Sequence, residues 1–278
     1  VTTDEPLARG IPPGSLRHYA VAYSRTDTRC ALAALYAFEA EIDDTVRTAS
    51  HEVAHTRLQW WRGEVDALLA GQPRHPVTRA LLSLPGPARD DLPLLHEALV
   101  AADIDLARLV LRDARELEAY CFRAAGSLQT LAVIACSQPR PASAREREFA
   151  RRLGSCVRRT ERLRDLRGHL AAGRLPIPLD ALAGAGVDPG SVRPDDPGPA
   201  LLGLLDRLRR DVAQELRDLP QLLLPAERRA QRHGLVLAAL HRRLVDTIDH
   251  RREIARTRAE VPAWTRLWTA WRAAVRYA

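Results

Sequence analysis

The chain has 278 residues, with 46% hydrophobic and 28% charged side chains. That balance fits a globular protein and excludes a disordered one. The formal charge is +7, and every one of its 42 basic side chains is arginine. Such a surface suits a nucleic acid, an anionic membrane face or a phosphorylated substrate, and net charge cannot choose among them. Mean hydropathy is -0.24, and no run of roughly 18 uncharged apolar residues suggests a membrane-crossing helix. The first residues, 1–13, carry neither a basic nor an apolar leader pattern.

Taken in chain order, the helical period dominates. Residues 30–46 place Leu32, Leu35, Phe38 and Ile42 on one stripe, three or four apart. Residues 55–70 continue it through Leu58, Trp61, Val65 and Leu68. Longer runs are expected over 106–135 and 144–170, then over 201–216 and 234–258. The last run, 262–277, opens on Pro262, a residue suited to a helix start. No alternating strand pattern of useful length occurs. Breaks fall at 71–76, 85–87, 138–141 and 173–178. Residues 183–199, rich in Gly, Pro and Asp, read as an excursion loop. With no composition shift along the chain, the expected architecture is one all-α helical bundle. Residues 1–14 form its N-terminal tail, and 262–278 a C-terminal amphipathic helix.

The four cysteines, Cys30, Cys121, Cys136 and Cys156, form no CxxC pair and match no zinc spacing. They are expected to be reduced core residues in a cytoplasmic protein.

Three segments could carry chemistry. In LYAFEAEIDDTVR (35–47), Asp43 and Arg47 stand at i and i+4, on one helix face. Taken alone they make an ordinary surface ion pair. In TERLRDLRGHLAAGRLPIP (160–178), Asp165 and His169 repeat that spacing before a Gly-Arg pair. The plain reading is a capped helix end with a basic last turn. In YCFRAAGSLQ (120–129), four consecutive small residues include Gly126. A mid-helix glycine costs about 1 kcal/mol relative to alanine, so it marks either close packing or a ligand pressed on the backbone.

The succession SxxxYA (15–20), LYAF…DD (35–44), RLQWWRxE (57–64), RHPV (74–77), YCxRxAGS (120–127) and LRD…GRxPxP (163–178), ending in an Arg/Trp-rich tail (264–277), resembles the squalene/phytoene synthase family. The resemblance runs from about residue 15 to 277. It implies a single-domain bundle of the isoprenoid synthase type around a central cavity. Family members bind Mg²⁺ through two facing DxxxD motifs and condense prenyl diphosphates head to head. On this pattern Asp43 and Asp165 take the catalytic carboxylate positions. Asp43, Asp44 and Asp165 would carry Mg²⁺. Tyr19, Arg47, Arg164, Arg174 and Gly126 would contact substrate.

The match departs at specific places. Arg47 and His169 stand where the second aspartate of each motif belongs. Glu161 replaces an asparagine, Pro176 a tyrosine and Ala40 an arginine. An arginine beside a carboxylate repels Mg²⁺ and attracts phosphate, and imidazole is a poor ligand for a hard cation. Two functional classes therefore stand open. One is a prenyltransferase binding a prenyl diphosphate. The other is a non-enzymatic binding or complex-assembly protein, as in the divergent branch that the RLQWWR and HPV strings also resemble. A nucleic-acid role lacks any recognition motif. No sequence feature names a protein partner.

The last run sets Trp264, Leu267, Trp268, Trp271 and Val275 among Arg266, Arg272 and Arg276. It is expected either to meet an anionic membrane, on the cytoplasmic face, or to dock its tryptophans on the bundle.

Overall fold

The computed structural model describes residues 5–48, 50–84, 86–193, 197–249 and 259–277. All regular elements among them are helical. Short α1 (Glu5–Ala8) leads to α2 (Leu16–Ala22), capped by the Ser15 side chain on the His18 amide at 3.0 Å. Then come α3 (Arg29–Arg47) and α4 (His51–Leu69), followed by the short α5 (Pro76–Leu81) and α6 (Gly86–Arg89). Next are α7 (Leu95–Leu106) and α8 (Ala114–Cys121), and a π turn (Phe122–Gly126) runs straight into α9 (Ser127–Ser137). The long α10 (Ala144–Arg164) is followed by α11 (Leu166–Ala171) and α12 (Leu179–Gly184). Finally α13 (Gly198–Asp218), α14 (Pro225–Ala230), α15 (Arg232–Thr247) and α16 (Ala263–Arg276) complete the bundle.

The sequence periods translate directly into packing. On α3 the stripe Leu32, Leu35, Phe38 and Ile42 is buried, and Phe38 meets Trp61 of α4 edge-on at 5.5 Å. Burying each such side chain contributes about 1.5–3 kcal/mol. Of the adjacent tryptophans, Trp61 is core, whereas Trp60 is half exposed and leans on His75. Three of the cysteines are buried, but Cys30 is exposed at the start of α3.

The start of helix α10 is tied down twice. Ser143 and Glu146 form a capping box, satisfying two orphan N–H groups. The fully buried Glu146 also accepts from Arg140 at 2.6 Å and from Gln231 at 2.8 Å. Midway along the helix, Gly154 lies against Gly126. A Cβ added at Gly154 would sit 2.4 Å from the Gly126 Cα, so backbone meets backbone where α10 crosses the π turn. The small-residue run at 124–127 is thus explained by helix packing.

Several elements differ from expectation. The run 106–135 is interrupted: α7 ends at Leu106, and Arg108 takes a left-handed conformation (φ 51°) before Asp113 caps α8 through the Arg115 and Glu116 amides. Periodicity missed this break because apolar residues continue through it. The run 114–137 is long and apolar enough to cross a bilayer, yet 78% of its apolar window is buried inside the bundle. Residues 5–14 pack closely on the bundle. Leu7 is buried, and a Cβ on Gly10 would stand 2.1 Å from the Ala37 amide nitrogen. The 183–199 segment includes the end of α12 and a 3₁₀ turn at Pro189–Ser191. Helix α15 ends at Thr247, and residues 250–258 of the expected run lie outside the described residues.

Candidate functional site

The segment between α1 and α2, the C-terminal end of α3, the end of α7, the last turns of α10, and α11 converge on one cavity of about 1030 Å³. Helices α13 and α15 complete its wall through Leu201 and His241. Among the described residues, nine arginines line it (Arg9, Arg17, Arg47, Arg158, Arg162, Arg164, Arg167, Arg174 and Arg193) against four carboxylates (Asp43, Asp105, Glu161 and Asp165). The cavity is therefore basic, and its charge is built to meet anions.

Its floor is an ion-pair network. Arg17 reaches Glu39 at 2.7 Å and Glu161 at 3.5 Å, with its guanidinium over the Tyr36 ring. Burial works against the Arg17 charge, but the two glutamates outweigh it and hold its pKa above the usual range. Burial raises the Glu39 carboxyl, against the opposing pull of Arg17. Glu161 is pushed up by burial too, yet Arg17, Arg164 and Arg158 together bring it below the ordinary carboxylate value.

Arg158 is fixed from several sides. It donates to the Tyr120 hydroxyl at 2.7 Å and to Asp105 at 2.9 Å, and stands 3.7 Å from Asp43 and 3.8 Å from Glu161. Tyr120 in turn donates to Asp105 at 2.9 Å. The two cavity histidines are neutral. Burial, helped by Arg162 and Arg174, depresses His169 to about 4. Burial likewise depresses His241 to about 4, and its Nδ1 stands 3.0 Å from the Leu237 carbonyl. Because a carbonyl only accepts, Nδ1 carries the proton and Nε2 is left as an acceptor.

Of the residues singled out in the sequence, Asp43, Arg47, Arg164, Asp165 and Arg174 all line the cavity. Their relations differ from the simple i, i+4 pairs. Asp43 has its ion pair with Arg158, and among the described residues none joins it to the exposed Arg47. Arg164 grips its neighbour Asp165 with both prongs, at 3.0 and 2.7 Å. Arg174 approaches His169 Nδ1 at 3.4 Å. Three residues are not brought to the lining. Asp44 is on the outer side of α3, its side chain 62% exposed and 3.5 Å from Arg57, because neighbours on a helix diverge by about 100°. Tyr19 packs against the core beside His18. Gly126 lies in the α10 crossing.

The donor set does not fit a Mg²⁺ cluster. Among the described residues no three His, Cys, Asp or Glu side chains gather as metal ligands. Asp165 is engaged by Arg164, Asp43 has Arg158 beside it, and Asp44 lies outside the cavity. Mg²⁺ asks for octahedral oxygen ligands, and guanidinium groups at this range oppose it.

Sequence reasoning missed Arg17, Arg158, Asp105 and His241. Arg158, Glu161, Arg162 and Asp165 recur at helical spacing on one face of α10, and that signal was available. Asp105 and His241 reach the cavity only through tertiary packing.

Comparison with known proteins gives a consistent set of relatives. The sequence model of squalene/phytoene synthases matches residues 14–265. A phytoene synthase of Mycobacterium tuberculosis is 31% identical over 238 residues, spanning 81% of this chain and 74% of its own. A presqualene diphosphate synthase of Rhodopseudomonas palustris is 29% identical over 208 residues, 72% of each chain. Among solved structures, a dehydrosqualene synthase in complex with ligand superimposes with a TM-score of 0.74, covering 94% of this chain and 90% of its own at 17% identity. The squalene synthase HpnC from Alicyclobacillus acidocaldarius gives 0.66, covering 86% and 93% at the same identity. At that identity the two structures show a shared all-α fold.

Proposed function

The chain belongs to the squalene/phytoene synthase family, whose chemistry is prenyl transfer, and from that premise we propose that its cavity binds a prenyl diphosphate through arginine. The observation that carries this reading is that, among the described residues, nine arginines surround four carboxylates, with Arg17 and Arg158 held by their partners. Diphosphate leaves an allylic carbon only when its departing charge is neutralised. Guanidinium groups do this with fixed, bidentate hydrogen bonds, and their weak hydration makes the loss of water less costly than for a compact cation. The heterolysis sends the C–O electron pair to the diphosphate, and Arg164, Arg174 and Arg47 stand on the cavity wall to receive it.

Calorimetric titration of farnesyl diphosphate in the presence of EDTA tests this reading. Binding without Mg²⁺, weakened about tenfold or more in Arg174→Met, is expected, since one charge-assisted contact contributes about 1.5–3 kcal/mol. Binding seen only with Mg²⁺ would refute it. A product assay with the same substrate then separates a prenyltransferase from a binding protein on the same scaffold.

A peripheral contact with the cytoplasmic face of a membrane belongs to the same proposal. Helix α16 turns Ala270, Ala273 and Ala274 to the bundle and leaves Trp264, Leu267, Trp268, Trp271 and Val275 in solvent, Trp264 at 72% exposure. Arg272 and Arg276 flank that stripe. Large apolar groups outward beside cations suit an anionic bilayer. Sedimentation with phosphatidylglycerol vesicles should fall sharply in Trp268→Ser/Trp271→Ser. Equal sedimentation would remove α16 from the contact.

A further inference from the structure

The turn after α11 does more than end a helix. Gly173 takes a left-handed conformation (φ 69°), which favours glycine. Its amide donates to the Leu170 carbonyl at 3.0 Å, and the Arg174 amide donates to the His169 carbonyl at 2.8 Å. These two bonds satisfy carbonyls that the helix end leaves unpaired. The same turn carries the Arg174 side chain back over the residue its amide has bonded, and its Nε stands 3.4 Å from His169 Nδ1. One neighbour therefore holds His169 both at its carbonyl and at its ring.

A guanidinium only donates, so Nδ1 accepts and the ring proton is on Nε2. His169 and Arg174 both line the arginine cavity. Among the described residues, Arg174 is the bonded partner of the ring, and that bond leaves the Nε2–H to the cavity. Burial, and then the charges of Arg162, Arg174 and Arg158, keep the imidazole neutral, while Asp105 works the other way. Asp105 itself already accepts from Arg158 and Tyr120. A neutral N–H set among cations gives an anion a directed hydrogen bond without adding to their mutual repulsion. The other cavity histidine cannot take this role, because His241 gives its Nδ1 proton to the Leu237 carbonyl and presents a bare acceptor at Nε2.

Resting on the reading of the cavity as a diphosphate site, we infer that His169 is a ligand-binding donor of that site, its Nε2–H bonding a phosphate oxygen, and that the Gly173–Arg174 turn positions the ring for this. The arginines supply charge from several directions, and the histidine adds a single fixed direction.

The test is calorimetry of inorganic pyrophosphate and farnesyl diphosphate in EDTA, against the full chain and three variants. His169 is half-buried on a short helix, and leucine and glutamine are good helix formers, so these variants should fold. His169→Leu removes the donor, and both ligands should bind about tenfold or more weakly, by the same factor, since the contact is with phosphate. Glutamine keeps an N–H near the position of Nε2, so His169→Gln should stay within about threefold of the parent. His169→Asp sets a carboxylate against the phosphate and should bind most weakly of all. Nitrogen NMR of isotopically labelled histidines, with the His169 signal assigned by its loss in His169→Gln, should show the Nε2–H tautomer in the free protein and a shift of that signal on adding pyrophosphate. Parent-like binding by His169→Leu or His169→Asp overturns the inference and leaves the cavity reading standing. So does a glutamine variant as weak as the leucine one, a loss confined to farnesyl diphosphate, or an Nδ1–H tautomer. Failure of the parent to bind either ligand in EDTA overturns the cavity reading and this inference with it.

Discussion

Arg158→Met is the sharpest probe of the ion network. The methionine keeps much of the packing and removes the cation together with its hydrogen bonds to Tyr120 and Asp105. Arg158 has 13% of its side chain exposed, and it faces Asp105 (13%), Glu161 (17%) and Asp43 (31%). Breaking a buried pair from one side costs about 3–5 kcal/mol, because the partner charges stay behind. Here the Tyr120 hydroxyl still donates to Asp105, and Arg17 and Arg164 still face Glu161. The lower end, about 3 kcal/mol, is therefore expected, a large share of a stability of about 5–15 kcal/mol. The pH dependence gives a second signature. Glu161 has a folded pKa below its unfolded value, so it contributes stability above the unfolded pKa and loses it as pH falls through the folded one. Without Arg158 that contribution shrinks. The gap between parent and variant should be widest near pH 7.5 and should narrow towards pH 4. Urea denaturation at both pH values measures it. A loss below about 1 kcal/mol, or a gap that ignores pH, would show that Arg158 is a solvated surface cation and refute the reasoning.

Other outcomes rest on single contacts. Gly154→Ala gains about 1 kcal/mol of helix propensity, but its Cβ meets the Gly126 backbone at 2.4 Å. A net loss of about 1–3 kcal/mol is expected in thermal melts, and an alanine variant as stable as the parent would contradict the close crossing. Glu64→Ala removes the acceptor for the Arg74 and His75 amides and the Thr78 hydroxyl. It should cost about 2–4 kcal/mol by denaturation, and no loss would mean that water replaces the carboxylate. His233 is fully buried and neutral, with burial depressing it to about 4 from 6.5. The unfolded chain takes up its proton first, so stability should fall as pH drops from 6.5 towards 4, by up to about 3 kcal/mol for this residue. His233→Gln should flatten that slope, and an unchanged slope would exclude His233 as its source.

How far the sequence alone reached depended on range. Periodicity found α3, α4, α10 and α13, since their apolar stripes are local facts written at three- and four-residue spacing. Motif order then pointed to the family and to Asp43, Asp165, Arg164 and Arg174. What it could not see was which charge meets which. Arg47 is adjacent to Asp43 on a helical wheel, yet Arg158 takes that place from another helix, as the bundle's packing dictates. Gly126 shows the same limit from the other direction. The sequence flags a position with no room for a side chain, but only the α10 crossing shows that Gly154 fills the space.

The cavity's origin along the chain has a consequence for how the protein would respond to ligand. Its rim begins at Arg9, pinned to α3 by the Gly10 contact, and its last contributor is His241. No contiguous stretch of the chain contains the site: the segment around Arg9 rests on α3, while α2, which supplies Arg17, packs on α15, whose residues lie more than two hundred positions later. Occupancy therefore reads out closure of the whole bundle. A bound anion should raise the midpoint of global unfolding, not the protection of one helix pair, and should slow hydrogen exchange at the two ends of the fold together.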